Sequence, residues 1–193
     1  MTAQISDNIL YSNNEYSIAA IEKEWPFDPQ NYGFQPKPTH TACYRGYYCE
    51  YSILGEHLVL SKLRIGLDES KKPTFIGVEA QKSKYFKFDG FWEYSDVNLP
   101  IEYTGGIVIG RDFLQEFYIH MGFHRPHCYR YVLELLISKG KLVEFIDHSK
   151  RMEEVREMVR MKKQSNDKLS LSDKEIKQFI EESFSLSYKK KWY

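Results

Sequence analysis

The sequence predicts an α+β protein, in which a mainly antiparallel β-sheet or partly closed barrel precedes two amphipathic helices. Alternation of apolar and polar residues recurs as far as His148, and the apolar spacing then changes to the 3.6-residue period of a helix. Aromatic residues make up 16% of the chain, with 15 tyrosines, which favours β structure over a helical bundle. We therefore expect a β-rich domain at residues 1–148 and a helical extension packed on it at residues 149–193.

Two short strand-like segments, residues 8–11 and 15–20, flank Asn13 and Asn14 near the start of the chain. Asparagine tolerates the positive φ of a tight turn, so these segments predict a β-hairpin. Residues 24–38 contain four prolines and predict an irregular connection that is anchored by its aromatic side chains.

The clearest strand pair lies at residues 43–53 and 57–65, around a turn at Gly55 and Glu56. Glycine at the first central position suits a two-residue hairpin turn. We expect the return strand to bury one face and to expose the other to water. The buried face would hold Val59, Leu63 and Ile65, and the other face would hold Lys62 and Arg64.

The rest of the β-rich domain shows further strand-like segments. Residues 113–119 form a strand or, in a competing interpretation, a helical turn, and the pair Asp89-Gly90 suits a turn between two short strands. The other predicted strands lie at residues 75–80, 85–94, 101–110, 129–137 and 142–146.

The two predicted helices are Ser149–Gln164, with Ser149 as N-cap, and residues 172–183, which open on a Ser-Asp-Lys-Glu capping box. Each has an apolar stripe with charged residues between. We expect the stripes to face the β-rich domain. The residues expected to face it are Met152, Val155, Val159, Ile176, Phe179 and Ile180, and Met158 shares the helical spacing of the first stripe.

Three segments resemble a group of uncharacterised bacterial proteins: Tyr44-Arg45-Gly46-Tyr47, residues 58–63, and residues 103–110. That group has an aromatic-Arg-Gly-Tyr β-hairpin followed by a later glycine-containing segment. The resemblance covers the central two-thirds of the chain and implies a shared scaffold and a bacterial origin, with no reaction attached. The last ~45 residues depart from it.

The chain carries the marks of a cytoplasmic protein. The first ten residues lack a basic start and a long apolar run, and no segment reaches the ~20 apolar residues that a membrane-spanning helix needs. Cys43 and Cys49 would lie ~20 Å apart on one strand, at ~3.3 Å per residue, which is too far for a disulfide. We expect reduced thiols and no membrane association.

Three histidines and a cysteine fall within nine residues, and imidazole and thiolate are the ligands that zinc prefers. Pro126 interrupts the segment, and no second ligand pair of familiar spacing occurs. We therefore expect a polar connector between strands, without a metal or other cofactor. The alternative is a small-molecule or metal-dependent enzyme that uses this segment, with ligands drawn from His120, His124, His127 and Cys128.

Two further places could bind a ligand or a partner. Arg45 could grip an anion, although a structural pair with Glu50, Glu102 or Glu116 is the expected role. An acidic-aromatic segment could offer a paired-carboxylate site or a platform for a sugar; its members are Asp89, Trp92, Glu93, Tyr94 and Asp96. The expected role is again structural: a strand whose rings fill the core.

The function that this pattern favours is binding to another protein, as an immunity or antitoxin-type protein does. Phosphate-binding glycine loops, a nucleophile elbow and a zincin motif are missing, which disfavours those enzyme classes. A net charge of zero disfavours a dedicated nucleic-acid binder, although the terminal Lys-Lys-Lys-Trp-Tyr could make such contacts. The remaining class is a compact interaction module with aromatic anchors.

Overall fold

A computed structural model of the chain describes residues 2–68, 73–83, 90–164, 177 and 181–188. Its strands belong to one nine-stranded sheet, followed by the helix α1, Ser149–Gln164. Short 3₁₀ turns cover Pro29–Tyr32, Gln115–Phe117 and Pro126–Cys128. The strands are β1 Asn8–Tyr11, β2 Asn14–Ile21, β3 Tyr47–Leu54, β4 His57–Ile65, β5 Gln81–Lys82, β6 Trp92–Pro100, β7 Gly105–Phe113, β8 Tyr129–Ser138 and β9 Lys141–Asp147.

Seven of the strands close into a ring, in the order β3-β1-β2-β7-β8-β9-β4, because β4 pairs with β3. The pair β1–β3 is parallel and the other pairs are antiparallel. Strands β6 and β5 extend the sheet from the other side of β4. The expectation of a mainly antiparallel, partly closed sheet is confirmed at this level.

The ring is closed weakly between β4 and β9. One residue pair, His57 with Lys141, joins the two strands. Hydrogen bonds from Leu142 N–H to the Glu56 carbonyl (2.7 Å) and from Leu58 N–H to the Gly140 carbonyl (2.8 Å) reinforce it. Beyond this corner β9 runs past the tip of the β3–β4 hairpin, so residues 143–147 pair with β8 alone among the described strands.

The two predicted hairpins form with tight turns. Gly55 has φ of 63°, as a two-residue turn with glycine first requires. In the first hairpin the turn residues are Ser12 and Asn13, with φ of 48° and 59°, and Asn14 already belongs to β2. The turn therefore falls one residue earlier than predicted, with both central residues in the left-handed region of a type I′ turn.

The face assignment for β4 was wrong in part. A β-bulge between β3 and β4 inserts Ser61 and shifts the alternation, so that Leu58 and Leu60 enter the ring interior together with Leu63 and Ile65. Arg64, predicted to reach water, is instead 4% exposed. The partner strand begins at Tyr47, and residues 43–46 form a turn before it.

Three other predicted strands differ in the structure. Residues 75–80 hold only an isolated bridge between Phe75 and Val78. β7 ends at Phe113 and is followed by the 3₁₀ turn Gln115–Phe117, so the helical-turn interpretation of residues 113–119 is the correct one. β6 begins at Trp92, and residues 84–89 lie outside the described part of the chain.

Helix α1 packs on β8, as the spacing predicted. Ser149 is its first helical residue and not its N-cap, because the Ser149 hydroxyl accepts a hydrogen bond from the Val132 N–H (3.0 Å), outside the helix. Met152 and Val155 are buried, Val159 packs partly against the same cluster, and Met158 is exposed. Arg156, also buried on this helix, donates a hydrogen bond to the Tyr129 carbonyl (2.7 Å). A second core, outside the ring, therefore lies between α1 and the sheet.

The described residues hold one main α-helix where two were predicted. Most of the second predicted helix, residues 172–183, lies outside the described residues, as do its apolar members Ile176, Phe179 and Ile180. Within the described part of the chain, no helix combines the length and apolar character needed to cross a membrane.

Replacing Met152 with alanine should lower the free energy of unfolding by about 2–5 kcal/mol, because it empties a fully buried site under α1. Met158→Ala is the matched control on the same helix, since Met158 is 53% exposed, and it should change stability by about 0.5 kcal/mol or less. Urea unfolding measures both. Equal losses would contradict the packing of α1 through Met152.

Candidate functional site

Arg45 lies in the turn before β3, with its guanidinium held inside the protein. Its Nη2 atom is 2.6 Å from the Asp7 Oδ1 atom, and Asp7 is fully buried. The guanidinium carbon lies 3.5 Å from the Trp25 ring centroid and 4.7 Å from that of Tyr47. The partner is therefore Asp7 and not one of the three glutamates expected from the sequence.

The environment of Arg45 fits a structural role. Burial alone would lower the pKa of Arg45, but the Asp7 carboxylate outweighs it and raises that pKa. Asp7 Oδ1 also accepts a hydrogen bond from the Cys49 N–H (3.0 Å). Asp7 and two aromatic rings surround the guanidinium of Arg45. An external anion could bind it only by displacing a buried ion pair.

Trp92, Glu93 and Tyr94 do not form one site, because β6 points them to opposite faces. Tyr94 is buried in the same core as the side chains inside the ring of strands, and its hydroxyl donates a hydrogen bond to the Pro73 carbonyl (2.7 Å). Trp92 is also buried. Glu93 points the other way and accepts a hydrogen bond from Arg64 Nε (2.6 Å).

Arg64 is the centre of an ion-pair cluster that the sequence interpretation missed. It lies between Tyr48 on β3 and Glu93 on β6, and it also bonds to Glu50. Partial burial tends to raise the pKa of Glu93, but hydrogen bonds from Ser95 and Arg64 outweigh it and lower that pKa. Lys62 also pairs with Glu50 (3.2 Å), so two glutamates balance two cations and leave little net attraction for an anion.

The histidine segment connects β7 to β8, as expected, and its imidazoles pack against aromatic rings. His124 lies 4.7 Å from Phe113 between ring centroids, and His127 lies 5.7 Å from Phe117. His120 is exposed beside Tyr118. Cys128 is buried. Across the described residues, no three His, Cys, Asp or Glu side chains come together as metal ligands would.

A cleft of about 270 Å³ lies beside this segment, between the N-terminal residues and the outer faces of β3 and β4. Burial lowers the pKa of His124, against the opposing effect of a hydrogen bond with the Ile119 backbone, so its imidazole is neutral at pH 7. The lining of the cleft mixes polar side chains with the apolar Ile5 and the ring of Tyr129, and Arg64 brings a positive charge to it. Its lining includes Gln4, Ser6, Ser17, Tyr48, Arg64 and His124.

The most exposed apolar side chains on a strand lie along β9. Val143 is 64% exposed and Phe145 is 54% exposed, and Ile146 is partly exposed on the opposite face. Phe145 is paired with the fully buried Leu135 of β8 and therefore belongs to the inner face of the ring. Its ring contacts that of Tyr11 at 6.1 Å between centroids. We refer to residues 143–147 as the β9 edge.

The backbone of the β9 edge has a defined orientation. The His148 N–H donates to the Val132 carbonyl (2.8 Å), which sets the phase of the β8–β9 ladder. In an antiparallel ladder hydrogen-bonded and non-hydrogen-bonded pairs alternate, so Phe145 falls in a non-hydrogen-bonded pair with Leu135. The N–H and C=O of Phe145 therefore point away from β8, toward the side where no described strand pairs with it.

Sequence reasoning missed this edge because it treated residues 142–146 as an ordinary return strand. The signal was present: Leu142-Val143 and Phe145-Ile146 place apolar side chains on both faces of the strand, instead of on alternate positions. Such a strand is expected to be covered on both sides, and here the described residues leave most of it exposed.

No family model matches the chain, and searches of curated proteins and of solved structures also found no match. The resemblance of the Tyr44–Tyr47 motif to a bacterial group therefore stays a prediction.

Replacing Arg45 with methionine should lower the free energy of unfolding by about 3–5 kcal/mol, because it leaves the Asp7 carboxylate buried without its partner. Lys37→Met is the control: Lys37 bonds to Asp68 at 2.9 Å, but both side chains are more than half exposed, so the loss should be about 1 kcal/mol or less. Urea unfolding at pH 7 measures both. A small, equal loss in the two variants would contradict the buried pair.

Replacing Glu93 with glutamine should make stability less sensitive to acid. Because the folded-state pKa of Glu93 is lowered, its stabilisation is present above the unfolded-state pKa of about 4.3 and is lost as pH falls through the folded-state value. The unmodified protein should lose more unfolding free energy than the variant between about pH 5 and pH 3. Urea unfolding across this range measures it, with Glu102→Gln as an exposed control. Parallel curves would count against the Glu93–Arg64 pair.

Proposed function

We propose that this protein is a non-enzymatic cytoplasmic interaction module of the immunity or antitoxin type, which binds and blocks another protein. The observation that supports this most is the β9 edge, where Val143 and Phe145 are more than half exposed beside outward-pointing backbone groups. Soluble proteins usually cover, charge or shorten such an edge, because it is a template for another strand. An uncovered apolar edge is the feature expected of a docking surface.

The residues that anchor this interface differ from those that the sequence suggested. Trp92 and Tyr94 are in the core, and Arg45 is held by Asp7, so none of the three offers a free anchor. Phe145 combines a large apolar surface with a rigid strand backbone, which suits a side chain that dominates binding energy. Tyr11 supports its ring from the β1–β2 hairpin.

The proposal is tested by site-specific photocrosslinking in the source organism. A benzophenone amino acid at position 143 should give one discrete adduct, whose partner is then purified and titrated against the chain. The same probe at Leu10, which is 48% exposed on β1, is the control. A matching adduct at both positions, or a purified partner that shows no saturable binding, would refute the interface.

Phe145→Ser should weaken binding of that partner at least tenfold, about 1.4 kcal/mol, while leaving the fold intact. The side chain is half exposed, so the unfolding free energy should fall by roughly 1 kcal/mol or less. Leu10→Ser is the matched control and should leave affinity unchanged. Isothermal titration calorimetry gives the affinities and urea unfolding the stabilities. Unchanged affinity for Phe145→Ser would remove β9 from the interface.

A second candidate is a small-molecule enzyme that uses the histidine segment. The supporting observation is the cleft of about 270 Å³, whose lining combines a neutral His124 with Tyr48 and Arg64. A neutral imidazole can act as a general base. Thermal-shift screening of metabolites and divalent metals tests it: a ligand that raises the Tm of the unmodified protein, but not of His124→Gln, would favour this function, and no such ligand would count against it.

A further inference from the structure

We infer that the partner binds by adding a β-strand to the β9 edge, and that this strand is basic with apolar residues at alternate positions. The inference rests on the proposed function and specifies the chemistry of its partner. It follows from three properties of the edge: the direction of its backbone groups, the face on which Phe145 lies, and its charge.

The backbone of the β9 edge is suited to binding a segment in extended, strand-like conformation. Phe145 directs its N–H and C=O away from β8, so an added strand can exchange both hydrogen bonds with this one residue. The edge spans residues 143–147, about 16 Å at ~3.3 Å per residue, and it begins where the His57–Lys141 pair ends. A strand of five to seven residues therefore matches the available length, and strand addition is a common way to recognise an extended segment.

The inner face defines the apolar positions. Phe145 continues the row formed by Ile21, Ile107 and Leu135 across β2, β7 and β8, whose members are almost fully buried. Phe145 ends this row half exposed, against Tyr11. An incoming strand would extend the row by one side chain, and its apolar residues would cover Phe145 from the open side. Its intervening residues would face the opposite side of the sheet.

The charges define the remaining positions. Glu144 lies on the edge, on the face opposite Phe145, and Glu56 lies at the hairpin tip beside Leu142. Asp147 shares the face of Phe145, and its carboxylate accepts a hydrogen bond from the Ser149 N–H (2.8 Å). Lys141 is the one cation on β9. In the described part of the chain, neither Glu144 nor Glu56 forms a salt bridge. Cross-strand pairs of opposite charge stabilise a sheet and like charges destabilise it. Lysine or arginine between the apolar residues is therefore the complementary pattern.

The same charges disfavour a second copy of this chain. In a pairing of two β9 strands, residues whose N–H and C=O point away from β8 would lie opposite one another. One two-fold register sets Val143 opposite Phe145. It brings the two Glu144 side chains face to face at a Cα distance of about 4.5 Å. Pairing Phe145 with Phe145 instead sets Glu144 opposite Ile146 and Val143 opposite Asp147. Within residues 143–147 neither register pairs a cation with a carboxylate. The first register would also set Lys141 opposite Asp147, but Lys141 already pairs with His57 of β4. A different, basic chain is therefore the better occupant.

The test uses fluorescein-labelled seven-residue peptides and the full-length chain, with fluorescence anisotropy as the readout. The first peptide alternates valine and lysine, the second replaces lysine with glutamate, and the third is the lysine peptide with alternate amides N-methylated. We expect the lysine peptide to bind at least tenfold more tightly than the other two. Phe145→Pro, which removes an outward N–H and spares the β8 ladder, should abolish its binding, and Leu10→Ser should not change it.

Two results would overturn the inference. Equal binding of the lysine and glutamate peptides, or undiminished binding of the N-methylated peptide or of Phe145→Pro, would exclude a basic added strand. A concentration-dependent dimer in sedimentation experiments, lost in Phe145→Pro, would assign the edge to a second copy instead. If the photocrosslinked partner still depends on Phe145 while no peptide binds, the proposed function stands and strand addition fails.

Discussion

The buried carboxylate of Asp7 holds together three parts of the chain that are distant in sequence. Its Oδ1 atom bonds to the Arg45 guanidinium and the Cys49 N–H, and its carbonyl accepts a hydrogen bond from the Ile18 N–H (2.8 Å). These contacts fix β1 between β2 and β3, where it forms the one parallel pair among the named strands. A parallel neighbour has no tight turn to hold it, so a buried ion pair at the start of the ladder gives the ring its register on this side.

On the opposite side of the ring of strands, β9 and β6 compete for the same edge of β4. On this edge, the first residue of β4 pairs with β9, and the rest of β4 pairs with β6. Because β6 occupies most of the available edge, β9 touches β4 at a single residue and its remaining length continues past the hairpin tip. The exposed β9 edge is therefore a consequence of the topology, and the weakest joint in the ring adjoins the surface proposed for binding.

Much of the fold could be predicted from local patterns in the sequence. The Gly55 turn, the β8–β9 hairpin and the start of α1 at Ser149 depend on nearest neighbours, and all three were readable from the sequence. The burial of Arg64 was not, because it depends on the bulge at Ser61 and on Glu93, 29 residues away. Neither was the Asp7–Arg45 pair, which spans 38 residues. Of the candidate site residues, the sequence placed the rings of Trp92 and Tyr94 correctly in the core. Only the topology could show that residues 143–147 pair with no described strand other than β8.

The β9 edge also carries two features that proteins use to prevent uncontrolled strand pairing: a bulge at Val143 and the charge of Glu144. Under the proposed function, these features would make the edge selective and not inert. The bulge would confine regular pairing to the few residues around Phe145, and the Glu144 carboxylate would disfavour acidic strands, including a copy of β9 itself. An edge designed only for protection would replace Phe145 with a polar residue, since half of its surface is in water on the inner face of the ring. Retaining an aromatic ring there, between a bulge and a carboxylate, is consistent with an edge that excludes most strands and accepts a complementary one.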